Sequence, residues 1–154
     1  MSMTGPDIQS FSPQARIRSR RTAVQALYQW QMNSNAISEI INEFLAERSE
    51  LKKADTEYFR DLVNGISENA DELLEEIKPV LDRDPAQLDP VERAILLIGT
   101  YELKHHPELA WRIVVNESVE LAKMFGAEQS FKYINGVMDR IARRIRESEI
   151  RDAC

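Results

Sequence analysis

VERAILLIGTYEL, residues 91–103, is the most informative stretch of the chain. On a helical wheel its apolar side chains leave almost no polar stripe. Ala94, Ile95 and Ile98 lie on one side, Leu96 and Leu103 on another, and Leu97 and Tyr101 fill much of the remainder. A helix that is apolar nearly all round either sits in a core or spans a membrane. This stretch is too short to cross a bilayer, so it is expected to be a central core helix. Its start is well marked: Asp89 is placed as N-cap, Pro90 at the first helical position, and Glu92 at the third, where it completes a capping box.

On either side of it the chain reads as helix after helix. Ser12 and Pro13 mark an N-cap and first position, and Ile17, Ala23, Val24, Leu27 and Trp30 make the apolar stripe of a helix running to about Met32. Arg16 and Arg20 fall at the same angles as that stripe, so the first turns are expected to project beyond the core. A second helix covers residues 37–47, a third begins near Asp55, and a fourth spans roughly 69–77 and ends at Pro79. Residues 50–54 form a charged connection, and residues 82–90, with two prolines, form a loop into the central helix. Residues 112–125 are cleanly amphipathic, with Gly126 well placed as the C′ residue that ends the helix. The last helix carries Phe131, Ile134, Met138, Ile141 and Ile145 in alternating three–four spacing. The expectation is an all-α fold of six to seven helices in two packed helical bundles around the central apolar helix. Residues 1–12 are expected to be a disordered tail and residues 13–149 a single domain.

Composition agrees with this and excludes much else. A chain of 154 residues with 43% hydrophobic content can bury one sizeable core. The single cysteine, Cys154, rules out an intrachain disulfide. No apolar run reaches the length of a membrane span and no signal-peptide pattern opens the chain, so a cytoplasmic protein with no membrane association is expected. There is no P-loop, dinucleotide-binding turn, nucleophile elbow or metal-ligand spacing. His105 and His106 are adjacent, hence on different helix faces, and read as a solvated helix end. Glu102, on the apolar central helix, reads as a structural buried charge. Neither catalysis nor a cofactor nor a metal site is expected.

Net charge is −6, but the charge is segregated. Residues 8–33 hold Arg16, Arg18, Arg20 and Arg21 and no acidic residue, a net +4. Residues 131–146 hold Lys132, Arg140, Arg143, Arg144 and Arg146 against Asp139, again +4, leaving −14 for the rest. Arginine suits phosphate because its planar fork donates two parallel hydrogen bonds. Gln25 and Tyr28 follow the arginines by one and two turns, and Tyr133 adjoins Lys132. Backbone cations with aromatic and amide neighbours are the mixture that reads single-stranded RNA. Tyr133 could stack on a base, but taken alone it suits core packing better.

RRTAVQALYQWQ, TEYFRDLVNGI, VERAILLIGTYEL and VVNESVELAKMFGAEQSFKYINGVMDRIAR, in that order, resemble the NusB family of bacterial transcription antitermination factors. The resemblance covers about residues 15–146. It implies an all-α fold of two helical bundles and no catalysis. It also implies binding of boxA RNA, a short single-stranded element of ribosomal RNA leader transcripts, as a heterodimer with the ribosomal protein NusE. The larger complex would contain NusA, NusG and RNA polymerase. The family's basic N-terminal helix maps onto Arg16, Arg18, Arg20 and Arg21, and its RNA-contacting helix start onto Lys132 and Tyr133. Tyr28 and Glu92 match positions near the partner and RNA surfaces. Gln129 stands where the family often has an acid, a change that favours RNA, and Ile17 interrupts the arginine run. Two other readings stay open at this point: a stand-alone relative of the NusB-like domain fused to some ribosomal RNA methyltransferases, and a helical homo-oligomer, a homodimer included.

Overall fold

In the computed structural model, residues 12–33, 35–47 and 53–152 are described. Residues 1–11 of the expected tail, most of the charged connection and Cys154 lie outside them. The described residues form eight α-helices: α1 (Pro13–Met32), α2 (Ile37–Glu47), α3 (Lys53–Glu68), α4 (Ala70–Ile77), α5 (Pro90–His105), α6 (Trp111–Phe125), α7 (Ser130–Ile145) and α8 (Glu147–Asp152). Single 3₁₀ turns occupy Lys78–Val80 and Pro85–Gln87. The count exceeds the expected six to seven by the six-residue α8, which carries too few apolar residues to show a helical period.

The chain divides into two compact units, Met1–Glu68 and Asn69–Cys154. In the first, α1 packs on α3 and α2 packs on both. Its core is Ala23, Val24, Ala26, Leu27, Ile40, Phe44, Tyr58, Phe59, Leu62 and Ile66, all buried. α1 starts as its sequence dictates: Pro13 needs no amide partner, and Ser12 Oγ accepts from the Ala15 amide at 3.1 Å. The first turns do not project beyond the core, however, because Ala15, Ser19, Arg20 and Thr22 are buried. Small side chains recur at helical spacing there, and the hydroxyls are satisfied locally, Ser19 Oγ donating to the Ala15 carbonyl and Thr22 Oγ1 to that of Arg18.

In the second unit α5 packs against α4, α6 and α7. Every residue from Ala94 to Leu103 is buried, Glu102 among them. Asp89 caps the helix as expected, accepting from the Val91 amide at 2.7 Å. The capping box does not follow: Glu92 instead accepts a 2.7 Å hydrogen bond from Ser130 Oγ at the start of α7. Tertiary pairing outcompetes the local motif.

Helix α6 ends at Gly126 as expected, with extended backbone there, and glycine is required because a Cβ would come within 2.7 Å of the Ala122 carbonyl oxygen and 2.9 Å of Ser130 Oγ. Gln129, the N-cap of α7, is left-handed, with φ 73°. The histidine pair is not the solvated end expected. His105 is exposed and stacks on Tyr101, but His106 is buried, its Nδ1 2.9 Å from Glu108 Oε2. Arg146 closes the same end of the unit. Its guanidinium donates to the carbonyls of Leu103, His106 and Leu109 at 2.8–3.1 Å, and to Glu149 Oε1. It thereby satisfies carbonyls that the end of α5 leaves without helical partners.

Candidate nucleic-acid interface

The candidate residues fall into two sets, one in each unit. In the first unit, Arg18, Arg21, Gln25 and Tyr28 follow one another at three- and four-residue spacing, which puts them in one stripe along α1. Met32 extends it by another turn. Arg21 is exposed, as are Tyr28 and Met32, at 41% and 58%. Gln25 Nε2 lies 3.4 Å from the Arg21 carbonyl, which leans the amide back along the stripe. The stripe thus grades from cationic, through an amide, to aromatic and apolar. Arg16 is half-buried off this stripe, and Arg20 is 2% exposed with its guanidinium 6.0 Å from the Tyr58 ring centroid. The four arginines that the sequence groups together therefore sit in three different environments.

In the second unit the site grows from the turn between α6 and α7. The left-handed Gln129 aims α7 so that Ser130 meets Glu92, while Gln129 and Lys132 stay at the surface. Tyr133, one residue on, packs against the loop before α5. The Arg83 guanidinium lies 4.4 Å from its ring centroid, and its hydroxyl is 3.5 Å from Asp82 Oδ1. Arg83 Nε donates to the same Asp82 oxygen at 3.0 Å. That hydrogen bond holds the Asp82 carboxyl below the usual carboxylate range and raises the Arg83 guanidinium further. Burial pushes the Tyr133 phenol up, against the opposing pull of the Arg83 charge. Further along α7, Arg140 Nη2 lies 3.4 Å from the Val80 carbonyl, tying the helix to the turn after α4.

This arrangement offers a phosphate the ammonium of Lys132, and offers a base a guanidinium already stacked on an aromatic ring. The sequence singles out Lys132, Tyr133, Gln129 and Glu92 but gives no sign of Arg83 and Asp82, which the fold sets against Tyr133. They lie about fifty residues away in a loop with no periodicity, and no local pattern pairs them with α7. Among the described residues no cluster of side chains is arranged to hold a metal ion, and no helix is long and apolar enough to cross a membrane.

Known proteins share this architecture. The model of the NusB family matches residues 17–143. A transcription antitermination protein NusB from Alcanivorax borkumensis is 48% identical over 138 residues, covering 90% of this chain and 91% of the relative. The corresponding protein of Serratia proteamaculans is 45% identical over 89% of this chain and 99% of its own. Among solved structures, T. maritima NusB superposes with a TM-score of 0.78 at 31% identity, over 86% of this chain and 92% of that one. A chain from the structure of the antitermination factors NusB and NusE in complex with double-stranded RNA gives a TM-score of 0.79 at 27% identity, over 86% and 99%.

Proposed function

The chain belongs to the NusB family, and from that premise we propose that it is a transcription antitermination factor acting without catalysis. It binds the boxA element of ribosomal RNA leader transcripts together with NusE, and through that pair joins NusA, NusG and RNA polymerase in the cytoplasm. Residues 13–149 serve as one RNA-binding domain. Arg18 and Arg21, and Arg16 off their stripe, supply positive charge along α1, with Gln25 and Tyr28 beside it, while Arg20, buried against Tyr58, serves the fold. Gln129, Lys132 and Tyr133 receive the RNA at the start of α7. Tyr28 and Glu92 face the NusE partner, where an acidic chain meets a basic ribosomal protein, a complementarity that speeds association more than it tightens it.

The observation that carries this reading is the start of α7, where a surface lysine adjoins a tyrosine stacked by arginine, in a chain that is acidic overall. A net charge of −6 repels RNA in general, so binding must be local. Fluorescence anisotropy with boxA RNA and a scrambled RNA, with and without NusE and at several salt concentrations, tests it. The expected result is selective binding that NusE strengthens and salt weakens, and that the double change Arg18→Ala with Lys132→Ala reduces while helicity stays intact. Equal, weak binding to both RNAs, unchanged by NusE, would refute it. The exposed Tyr28 and Met32 are also where the free chain would form a homodimer, which sedimentation velocity resolves.

A further inference from the structure

A groove between α6 and α7, with Lys132 in its lining, lies beside the Tyr133 cluster's helix and takes no part in that cluster. Its volume is about 520 Å³, within the range typical of small-molecule sites. Helix periodicity builds both walls. Asn116, Val119, Glu120 and Lys123 lie at three- and four-residue spacing on α6, and Phe131 and Asn135 are one turn apart on α7. Close approach of Gly126 to Ser130 and the left-handed Gln129 fix how the two helices join, so the walls are held in place by the backbone.

The chemistry of the lining is mixed in a particular way. Val119 and Phe131 are its apolar side chains, the Asn116 and Asn135 carboxamides supply donors and acceptors, and Lys123 and Lys132 bring two ammonium groups. Lys123 lies 5.5 Å from the Phe131 ring centroid and 3.3 Å from Glu120, the one carboxylate among the lining residues. Lys132, exposed in the first turn of α7, is the second ammonium of the lining. An aromatic ring, two amides and a second cation match a nucleotide: a face to stack, an edge to hydrogen-bond and a phosphate to neutralise. We propose that this groove receives one unstacked base of the bound single-stranded RNA, with its phosphate on Lys132. The inference rests on the RNA-binding reading above and adds a base-binding site to it.

Two variants of the full chain test it by anisotropy with the same boxA RNA. Val119→Trp fills the groove with an indole, and Asn135→Ala removes an amide without touching the core. Val119→Trp is expected to weaken binding by about tenfold, the loss of one stacked base, and Asn135→Ala by about fivefold, the loss of one hydrogen bond, with its salt dependence unchanged. In the unaltered chain, 2-aminopurine placed successively along the RNA should change its emission at one position, and Val119→Trp should abolish that change. Both variants binding like the parent, while Arg21→Ala binds more weakly, would overturn the groove and leave the RNA-binding reading standing. Should Val119→Trp lose helicity, Asn135→Ala and the 2-aminopurine scan decide by themselves. No RNA binding by the unaltered chain would overturn the functional reading and the groove with it.

Discussion

The starts of α1 and α7 are both candidate RNA-binding regions, and they are built on opposite plans. α1 begins with a side-chain-capped turn, and its exposed stripe holds cations whose local sequence contains no acid. α7 begins on a left-handed residue with no side-chain cap. Its polar groups are already engaged: Ser130 with Glu92, and Tyr133 with Asp82 and Arg83. One region offers charge and the other offers geometry. Charge acts at long range and is screened by salt, whereas a pre-oriented ring loses little entropy on binding and is insensitive to salt. Two stretches of equal net charge therefore need not contribute to binding through the same physical effect.

The largest effect is expected from cutting the support under the far end of α7. Arg146→Met leaves the Leu103 and Leu109 carbonyls without their donor, the His106 carbonyl keeping the Leu109 amide, and should cost about 3 kcal/mol, read as a lowered urea midpoint. RNA affinity of the folded fraction should not change, since Arg146 is buried. The paired change Arg18→Ala with Arg21→Ala tests the charge plan. The log–log slope of affinity against salt should fall by about 1.4, near 0.7 for each single-strand phosphate no longer neutralised. Tyr133→Ala tests the geometric plan: affinity should drop by about fivefold, near 1 kcal/mol for one stacked base, with the slope unchanged. A slope that moves with Tyr133 and not with the arginines would reverse the assignment. The smallest effect is expected for Gln129→Gly. It relieves a left-handed backbone and should stabilise the chain by less than about 1 kcal/mol, since glycine also gains freedom when unfolded.

The arginines show how far a sequence reading reaches and where it stops. Arg20 and Arg146 belong to the two basic stretches by count, yet both are buried, one over the Tyr58 ring and the other against the carbonyls of α5 and the loop after it. Nothing in their immediate neighbours separates them from Arg21 or Arg144, which are exposed. Arg20 does share the angle of the apolar stripe, a signal that points to the interior. His106 is a similar case, a helix-end residue that turns inward because Glu108 and Tyr101 are there to receive it.

Features that depend on near neighbours could be read from the sequence unaided. Helical periodicity, the Ser12–Pro13 and Asp89–Pro90 starts, the break at Pro79 and the all-round apolar character of α5 involve side chains within a turn or two of each other. All of them reappear in the structure, most helix bounds within a residue or two. Features that depend on groups far apart in the chain were settled by tertiary packing alone. Packing chose Ser130 over the local amide for Glu92, put Arg83 on Tyr133, buried two of the arginines, and opened a groove between α6 and α7. The physical reason is the same throughout. A backbone hydrogen bond or an apolar stripe is specified by spacing along one helix, but a polar side chain takes the partner that packing brings within reach.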